Sequence, residues 1–386
     1  MYENGFNDII PLAKAKLTLK QHFPEDELAQ FACLAIRIGL DFDASREVAR
    51  KTEIELVESY MRIVFTVPDH HEYMRTGTPS EPILAEAAAQ LLNRESILPL
   101  DQLAPKVIDK GFQRGILARG ERGEMVGRLL WTLAHDQVSR NNPKPGVVEF
   151  HTPIRVLDFL HALFHKDYWG EILNAKPMGN KDGPALSEAF DNAYIQFSHF
   201  MDAVDDNVGL EQVHRLLLRG AALSCQHNQK SIAFLTPVLF GSPDSTTLRR
   251  SNTSVLQAQV KNRNVVDKFT LDPTLVQSDL NHPILSLVHE LGTHDSSVKC
   301  TPPFTVANEL HAHHYQIVSH GCSFKTFGVI PGIMDKTYPV LLGSNLLMDD
   351  FPRSDNNTCK TLFRQLQPCT GLELGEPCEW FGKNAE

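Results

Sequence analysis

Hydrophobic residues recur about one helical turn apart through most of residues 1–220. Between residues 24 and 65 they fall on one side of two predicted helices, at Leu28, Phe31, Leu34, Ile38, Val48, Ile54, Val57 and Met61. Ser80 followed by Pro82 indicates the start of another helix, because serine caps helices and proline fits their first turn. Similar spacing predicts further helices near residues 119–136, 152–164, 190–201 and 210–224.

The pattern changes after residue 230, where turn residues bound short segments rich in β-branched side chains. Residues 231–240 and 253–261 are typical strands of this kind, and their short connection predicts an antiparallel pair. Residues 315–318 and 327–330 are candidates for further strands, and the sequence from about residue 346 is polar and irregular. Helices followed by a small sheet indicate an α+β fold.

The chain has 386 residues and a formal net charge of −10, from 37 Lys and Arg against 47 Asp and Glu. This acidic total excludes a protein that coats nucleic acid by being basic everywhere, although a local basic groove is compatible with it. No apolar run approaches the ~18 residues of a transmembrane helix, and the N-terminus lacks a signal-peptide pattern. Seven scattered cysteines fit reduced thiols. We therefore expect an intracellular protein, nuclear or cytoplasmic, without a membrane partner.

The most informative chemistry lies at the end of the strand predicted over 253–261. In a strand Gln257, Gln259 and Lys261 point to one face, and the apolar residues between them point to the other. A polar residue, one spacer and a lysine at a strand end are typical of metal-dependent nucleases. The oxygen of Gln259 would help hold a divalent cation, and Lys261 would orient the attacking water and offset phosphate charge. The alternative is an amphipathic edge strand whose polar residues are only solvated.

A second hypothesis is zinc chemistry around His289 and His294. A metalloprotease helix places its two histidines four residues apart. Here they are five apart and would diverge by about 140° around a helix. Nearby residues that could add ligands show no recognised zinc-finger spacing; they are Glu309, His311, His313, His314, His320 and Cys322. The zinc hypothesis therefore lacks the spacing that its chemistry requires.

A set of short segments together resembles a known family. They are residues 121–131 (ERGEMVGRLLW), 197–200 (FSHF), 219–222 (RGAA), 228–229 (NQ), 237–239 (PVL), 259–262 (QVKN) and 321–323 (GCS). In this set the chain resembles a widespread group of large fungal proteins that end in a PD-(D/E)XK (restriction-endonuclease-like) module. That group is related to Crinkler-type effectors and transposon-linked ATPases. The likeness spans most of residues 28–335.

The resemblance implies an α/β/α nuclease-like core that uses Mg²⁺ and acts on nucleic acid, with DNA favoured over RNA. Together with the helical pattern it predicts three regions. These are a helical N-terminal region over 1–95, a restriction-endonuclease-like domain with a small mixed sheet over 96–345, and an irregular tail over 346–386. No P-loop motif occurs in the sequence, so the ATPase module of many longer relatives is not predicted here.

The resemblance also implies a metal-binding glutamate on the helix that precedes the strand pair, and Glu124 matches that position. Glu124 and Gln259 would form the metal site, and both would act with Lys261 as catalytic residues. The alternative is an ordinary surface ion pair between Glu124 and Arg128, four residues further along the helix. Glu211 on a later helix is a weaker substitute.

The chain departs from the family pattern at Ala233. The family usually places an aspartate near this position, in the strand that leads into Pro237. Without that carboxylate the remaining ligands carry little charge, so Mg²⁺ binding should be weakened.

Basic residues cluster in the sequence around the predicted strand pair, at Arg249, Arg250, Lys261, Arg263 and Lys268. They could form a local phosphate-binding patch, with Arg249, Arg250, Arg263 and Lys268 as its nucleic-acid contacts. The alternative is a solvated hairpin with basic edge residues.

The sequence therefore leaves two functions open. The first is a metal-dependent phosphodiesterase, a DNA nuclease of the PD-(D/E)XK type with a weakened metal site that would be an Mg²⁺-dependent endonuclease if active. The second is a catalytically inactive nuclease-fold module that binds nucleic acid or protein partners. The retained segment 259–262 and its basic flanks favour the first, and Ala233 favours the second.

Overall fold

The computed structural model describes residues 3–19, 23, 26–69, 74–142, 148–203, 208–226, 232–263, 276–277 and 282–343. The α-helices are α1 (Glu3–Thr18), α2 (Glu27–Ile38), α3 (Glu47–Ser59), α4 (Pro82–Gln90), α5 (Leu100–Gln113), α6 (Arg122–Asn141), α7 (Val156–Leu163), α8 (Trp169–Leu173), α9 (Leu186–Ala189), α10 (Leu210–Arg219) and α11 (Thr337–Leu342). The strands are β1 (Ile63–Thr66), β2 (Arg75–Gly77), β3 (Ile154–Arg155), β4 (Ala193–Ile195), β5 (His199–Asp202), β6 (Val208–Gly209), β7 (Ala221–Ser224), β8 (Phe234–Phe240), β9 (Thr253–Lys261), β10 (Val276–Gln277), β11 (Ile284–Glu290), β12 (Ser297–Cys300) and β13 (His314–His320).

The helical spacing of the N-terminal half is confirmed in α2, α3, α4 and α6. α2 begins after Asp26, whose carboxylate accepts hydrogen bonds from the backbone N–H groups of Leu28 and Ala29 at 3.0 and 3.1 Å. α10 occupies only the first part of the helix predicted over 210–224. It ends at Gly220, whose φ of 57° is left-handed and favours glycine, and β7 follows directly.

Nine of the strands form one mixed sheet. Its order is β12, β13, β11, β9 and β8, and β8 then pairs with both β4 and β7, which carry β3 and β5 on their outer sides. β9, β11 and β13 run parallel to one another, whereas β8 runs antiparallel to β9. The antiparallel pair predicted over 231–240 and 253–261 is therefore confirmed, and the strand predicted at 315–318 lies within β13.

Helices cover both faces of the central strands. α6 packs against one face, which β9 forms with alternate residues, Leu256, Ala258 and Val260. α10 covers the opposite face, where a second hydrophobic cluster joins Val213, Leu216, Leu235, Val255 and Val288. We call these the α6 face and the α10 face. Because both faces are covered, β9 is not the solvated edge strand that its alternating pattern left open.

Two segments differ from the predicted elements. Residues 190–201 contain β4 and β5 rather than a helix. The segment contains buried residues two positions apart, Ala193, Ile195 and Phe197, and this spacing suits a strand. Its apolar residues also recur about one helical turn apart, which suits a helix. β4 pairs with β8 and β5 pairs with β7, and this pairing decides that the segment forms strands. Residues 327–330 form no strand, and Phe327 makes a single bridge to Phe164.

The fold is thus α+β with a mixed sheet, as predicted at that level. The described helices and strands belong to one compact unit, residues 1–342. The predicted tail over 346–386 lies outside the described residues. Within the described part of the chain, no helix has the length and apolarity needed to cross a membrane.

Candidate active site at the carboxyl edge of the sheet

The carboxyl ends of β9, β11 and β13 meet at one edge of the sheet because these strands are parallel. Their register places Lys261, Glu290 and His320 side by side, and side chains in register on adjacent strands point to the same face. Ligands of open α/β sheets bind beyond the carboxyl ends of parallel strands. We call these three residues the carboxyl-edge row, and they form the candidate site together with Gln259.

Gln259 lies two residues before Lys261, so both side chains point to the same face of β9. Gln259 is only 4% exposed. Its Nε2 donates a long hydrogen bond to the carbonyl of Val260 at 3.4 Å, whereas its Oε1 has no hydrogen-bond partner among the described residues. A buried acceptor in this state has lost water without a replacement and needs an explanation. A bound cation or an ordered water would supply one.

Glu290 is completely buried at the end of β11. Its carboxylate accepts hydrogen bonds from the Arg263 guanidinium, at 3.1 Å from Nη2 and 3.4 Å from Nε. The Arg263 side chain is 37% exposed, so the pair joins a buried anion to a cation at the surface. The sequence pattern gave no sign that Glu290 lies beside Lys261, because that position depends on the register between two separate strands.

His320 completes the carboxyl-edge row on β13. Its Nδ1 lies 3.1 Å from the hydroxyl of Ser297, which is its register partner on β12. Burial lowers the pKa of His320, and the nearby carboxylate of Glu290 acts in the opposite direction. The ring is therefore neutral at pH 7 and serves as a hydrogen-bonding group rather than as a cation.

Ala233 lies beside the candidate site. Its N–H donates to the carbonyl of Ala258 at 2.7 Å, and its carbonyl accepts from the N–H of Cys225 at 2.8 Å. These bonds place it between the end of β7 and β9, next to Gln259 along the chain of β9. Ala233 is buried and belongs to the hydrophobic cluster of the α6 face, whereas Gln259 points to the α10 face.

Glu124 approaches the same edge from the other side of the sheet. It is partly exposed in the first turn of α6, and a Cβ added to its neighbour Gly123 would lie 3.0 Å from the Cβ of Asn262. α6 covers the α6 face, whereas Gln259 and Lys261 point to the α10 face. The structure thus brings Glu124 to the end of β9 but does not place it on the same face as Gln259.

Arg128 is not a surface residue, so it does not form the exposed pair with Glu124 considered from the sequence. It is buried, and its guanidinium donates to the Ser224 hydroxyl at 2.7 Å and to the Asp41 carboxylate at 2.7 Å. Glu211, the weaker substitute for Glu124, is exposed on α10 and forms an ion pair with Arg215 at 2.5 Å.

The basic residues of the predicted patch lie at opposite ends of β9. Arg249 and Arg250 are exposed and come before its first residue, whereas Lys261 and Arg263 are partly exposed at or after its last residue. A nine-residue strand separates its ends by about 26 Å. These described residues therefore do not form one continuous patch, and Lys268 lies outside the described residues.

The two histidines of the zinc hypothesis do not share a helix. His289 belongs to β11, where its Nε2 accepts a hydrogen bond from Trp131 Nε1 at 3.1 Å and its Nδ1 lies 2.7 Å from the Ser319 hydroxyl. Burial lowers the pKa of His289 to about 3. His294 is exposed in the following loop. Across the described residues, no group of three or more His, Cys, Asp or Glu side chains is placed to hold a metal ion.

A buried chain of polar groups crosses the sheet next to the candidate site. Gln257 Nε2 donates to the Ser286 hydroxyl at 2.8 Å, and that hydroxyl lies 2.6 Å from His314 Nε2. The Nδ1 atoms of His314 and His311 are 2.9 Å apart. Because the Gln257 amide is a donor, the serine proton is directed to His314, and His314 donates to His311. Gln257 therefore joins a hydrogen-bonded network through its Nε2, whereas its Oε1, like that of Gln259, has no partner among the described residues.

The family model described as "Domain of unknown function (DUF8736)" matches residues 22–301 of the chain. This range includes Ala233, Gln259, Lys261 and Glu290, whereas His320 lies beyond it. No curated protein matches the chain, and no solved structure matches it.

Proposed function

The chain belongs to the DUF8736 family, and we propose that it is a metal-dependent phosphodiesterase with a weakened metal site at the carboxyl edge of the sheet. In this proposal its substrate is nucleic acid, with DNA favoured over RNA, and its core is of the restriction-endonuclease type. The mixed sheet covered by helices on both faces is consistent with such a core. The strand end with glutamine, one spacer and lysine is consistent with it.

The observation that carries the proposal is the unpartnered Oε1 of Gln259, buried on the same face as Lys261. An amide oxygen is a ligand that Mg²⁺ accepts, and Mg²⁺ keeps several waters when one or two protein oxygens and substrate phosphates complete its shell. The buried oxygen of Gln259 therefore fits the ion that the proposal requires. Glu124 fits it less well, because it belongs to the α6 face.

Each residue of the site has a separate task in this proposal. Gln259 would hold the ion by its side-chain oxygen. Lys261 is partly exposed at the strand end, where its ammonium group would offset phosphate charge and orient the attacking water. The ion, when bound, would polarise a phosphoryl oxygen and activate that water. Ala233 accounts for the weakness of the site in this proposal, since the resemblance implies an aspartate near this position and alanine supplies no ligand.

A second candidate function is binding without cleavage, and the ion pair of Glu290 with Arg263 favours it. Arg263 already neutralises the buried carboxylate of the carboxyl-edge row, so the edge suits phosphate contact more than metal binding. A module of this kind would hold nucleic acid through its backbone phosphates. Its affinity would fall steeply with salt and would not depend on a divalent ion.

One experiment separates the two functions. Purified protein is incubated with plasmid and single-stranded DNA in Mg²⁺, Mn²⁺ or chelator, as wild type, Lys261→Ala and Ala233→Asp. We expect slow metal-dependent cleavage that falls about 100-fold in Lys261→Ala, as for loss of one charge-stabilising group, and rises in Ala233→Asp. Lys51→Ala is the matched control, because Lys51 is an exposed lysine on α3 paired with Glu47.

The outcomes are distinct. Equal inactivity of wild type and Ala233→Asp in every metal, with DNA retained in chelator, would reject the phosphodiesterase and select the binding module. In Ala233→Asn the new side chain has the size of aspartate but no charge. This variant therefore shows whether a gain in Ala233→Asp comes from the carboxylate. Thermal melting of each variant confirms that it is folded.

A further inference from the structure

We infer that Glu290 is the carboxylate of the carboxyl-edge site, and that Arg263 is a displaceable counter-ion whose place a divalent cation takes. This inference rests on the proposed function for the identity of the site. It adds a metal ligand that the sequence pattern did not assign, and a means by which nucleic acid regulates metal binding.

The position of Glu290 is the first argument. It is in register with Lys261 on the adjacent parallel strand, and the register partner of Gln259 is Val288, two residues before it. Lys261, Gln259 and Glu290 therefore point to one face of two neighbouring strands. Glu290 is thus the carboxylate in register with Lys261, on the face where Gln259 has its unpartnered oxygen.

Burial is the second argument. Glu290 has no exposed surface, and burying a charge costs several kcal/mol before its pairing is counted. A buried ion pair is often no more stable than apolar residues of the same volume. Packing of the sheet edge therefore gives no reason for a carboxylate at this position, whereas a cation site does.

The third argument is that the two members of the pair differ in exposure. The backbone of Arg263 packs closely against Gly292, where an added Cβ would lie 2.7 Å from the Arg263 nitrogen and 2.9 Å from its oxygen. Its side chain extends from beyond the end of β9 and is 37% exposed. A phosphate in solution can therefore reach the guanidinium, while the carboxylate is enclosed in the sheet.

A phosphate group can compete with Glu290 for the Arg263 guanidinium. Arginine binds phosphate through paired hydrogen bonds, as it binds carboxylate. A nucleic-acid phosphate at the edge would draw Arg263 away from Glu290 and leave the carboxylate to a cation. One carboxylate, the Gln259 oxygen, waters and that phosphate then form the oxygen shell that Mg²⁺ favours. Metal and nucleic acid should therefore strengthen each other's binding.

Mn²⁺ binding to the full chain tests the inference without any activity measurement. The concentration of free Mn²⁺ is measured by electron paramagnetic resonance for wild type, Glu290→Gln, Arg263→Gln and the double variant. We expect Arg263→Gln to bind Mn²⁺ about tenfold more tightly than wild type, and Glu290→Gln to bind at least about tenfold more weakly. The double variant should bind as Glu290→Gln does, because the inference makes Arg263 a competitor of the cation for Glu290. The pair Glu211→Gln and Arg215→Gln is the matched control on α10.

A short single-stranded oligonucleotide completes the test. It should tighten Mn²⁺ binding to wild type and leave the already tight binding of Arg263→Gln nearly unchanged. Unchanged Mn²⁺ affinity in Glu290→Gln, or weaker affinity in Arg263→Gln, would overturn the inference even where Lys261-dependent cleavage is observed. The expected Mn²⁺ pattern without cleavage would keep the inference and reject the phosphodiesterase.

Discussion

At the scale of single residues, β9 contains two glutamines on one face that differ in their hydrogen bonds. The Oε1 of neither has a partner among the described residues, but Gln257 Nε2 donates to the Ser286 hydroxyl at 2.8 Å, whereas Gln259 Nε2 donates only a 3.4 Å hydrogen bond to the carbonyl of Val260. A short hydrogen bond offsets more of the cost of burying an amide than a long one does. The same residue type, two positions apart, therefore has different expected effects on folding.

Replacing each glutamine by leucine tests this difference. Gln259→Leu removes an unsatisfied oxygen and keeps the volume, so we expect the free energy of unfolding to stay the same or rise by about 1 kcal/mol. Gln257→Leu also removes an unpartnered oxygen, but it leaves the Ser286 hydroxyl without its donor, so we expect a net loss of about 1 kcal/mol. Urea unfolding followed by circular dichroism measures both. A loss in Gln259→Leu as large as that in Gln257→Leu would show that the Gln259 oxygen is satisfied in solution.

At the scale of elements, α6 depends on glycine for its distance from the sheet. A Cβ added to Gly127 would lie 2.8 Å from Val260 Cγ2 and 3.2 Å from the Phe234 ring. α6 can therefore lie directly on the strands that lead to the candidate site only because two positions one turn apart, Gly123 and Gly127, lack side chains. The segment 121–131 thus has a packing role beside any role in chemistry.

Gly127→Ala should destabilise the protein although alanine is the better helix former. Alanine gains about 1 kcal/mol of helix propensity, but overpacking against two buried side chains costs about 1–3 kcal/mol. We expect a net loss in the free energy of unfolding, measured by urea titration. Gly120→Ala is the control, because a Cβ there meets nothing within 4 Å. A Gly127→Ala protein more stable than wild type would mean that α6 moves away from the sheet without cost.

The sequence was sufficient for elements whose pattern has a single interpretation. α6 and the pair of β8 and β9 follow from their spacing alone. Residues 190–201 were misassigned because their apolar residues satisfy both periods, and only pairing with other strands selects β4 and β5. Local pattern therefore failed where a distant partner decides between two local structures.

The candidate site likewise contains residues that a local pattern places together and one that only strand pairing adds. Gln259 and Lys261 are on one strand, so alternation alone puts them on one face. Glu290 joins them through the parallel register of β11 with β9, which no local pattern contains. Arg249 and Arg263 are near in sequence, but a whole strand separates them. Distance along the chain was therefore a poor guide to which charged residues share a surface.

At the scale of the whole molecule, three buried histidines in different elements make folding sensitive to acid. Burial lowers the pKa of His135 in α6 to about 4, and those of His199 in β5 and His289 in β11 to about 3. An unfolded histidine has a pKa of about 6.5. Below that pH these histidines take up protons in the unfolded chain but stay neutral in the folded protein. Stability present at neutral pH is therefore lost as the pH falls towards 4.

Each such histidine contributes up to about 1.4 kcal/mol per pH unit to the loss between about pH 6 and pH 4. Glu86, whose pKa burial raises, acts in the opposite direction, so a difference between variants is more informative than the total. We expect His289→Gln to lower the slope of unfolding free energy against pH by about 1.4 kcal/mol per unit. Its stability at pH 7 should also fall, because Trp131 and Ser319 lose their partner.

His294→Gln is the control, because His294 is exposed in a loop, and it should leave the slope unchanged. An unchanged slope in His289→Gln would mean that the ring takes up its proton in the folded protein, and hence that the sheet between α6 and β13 admits water.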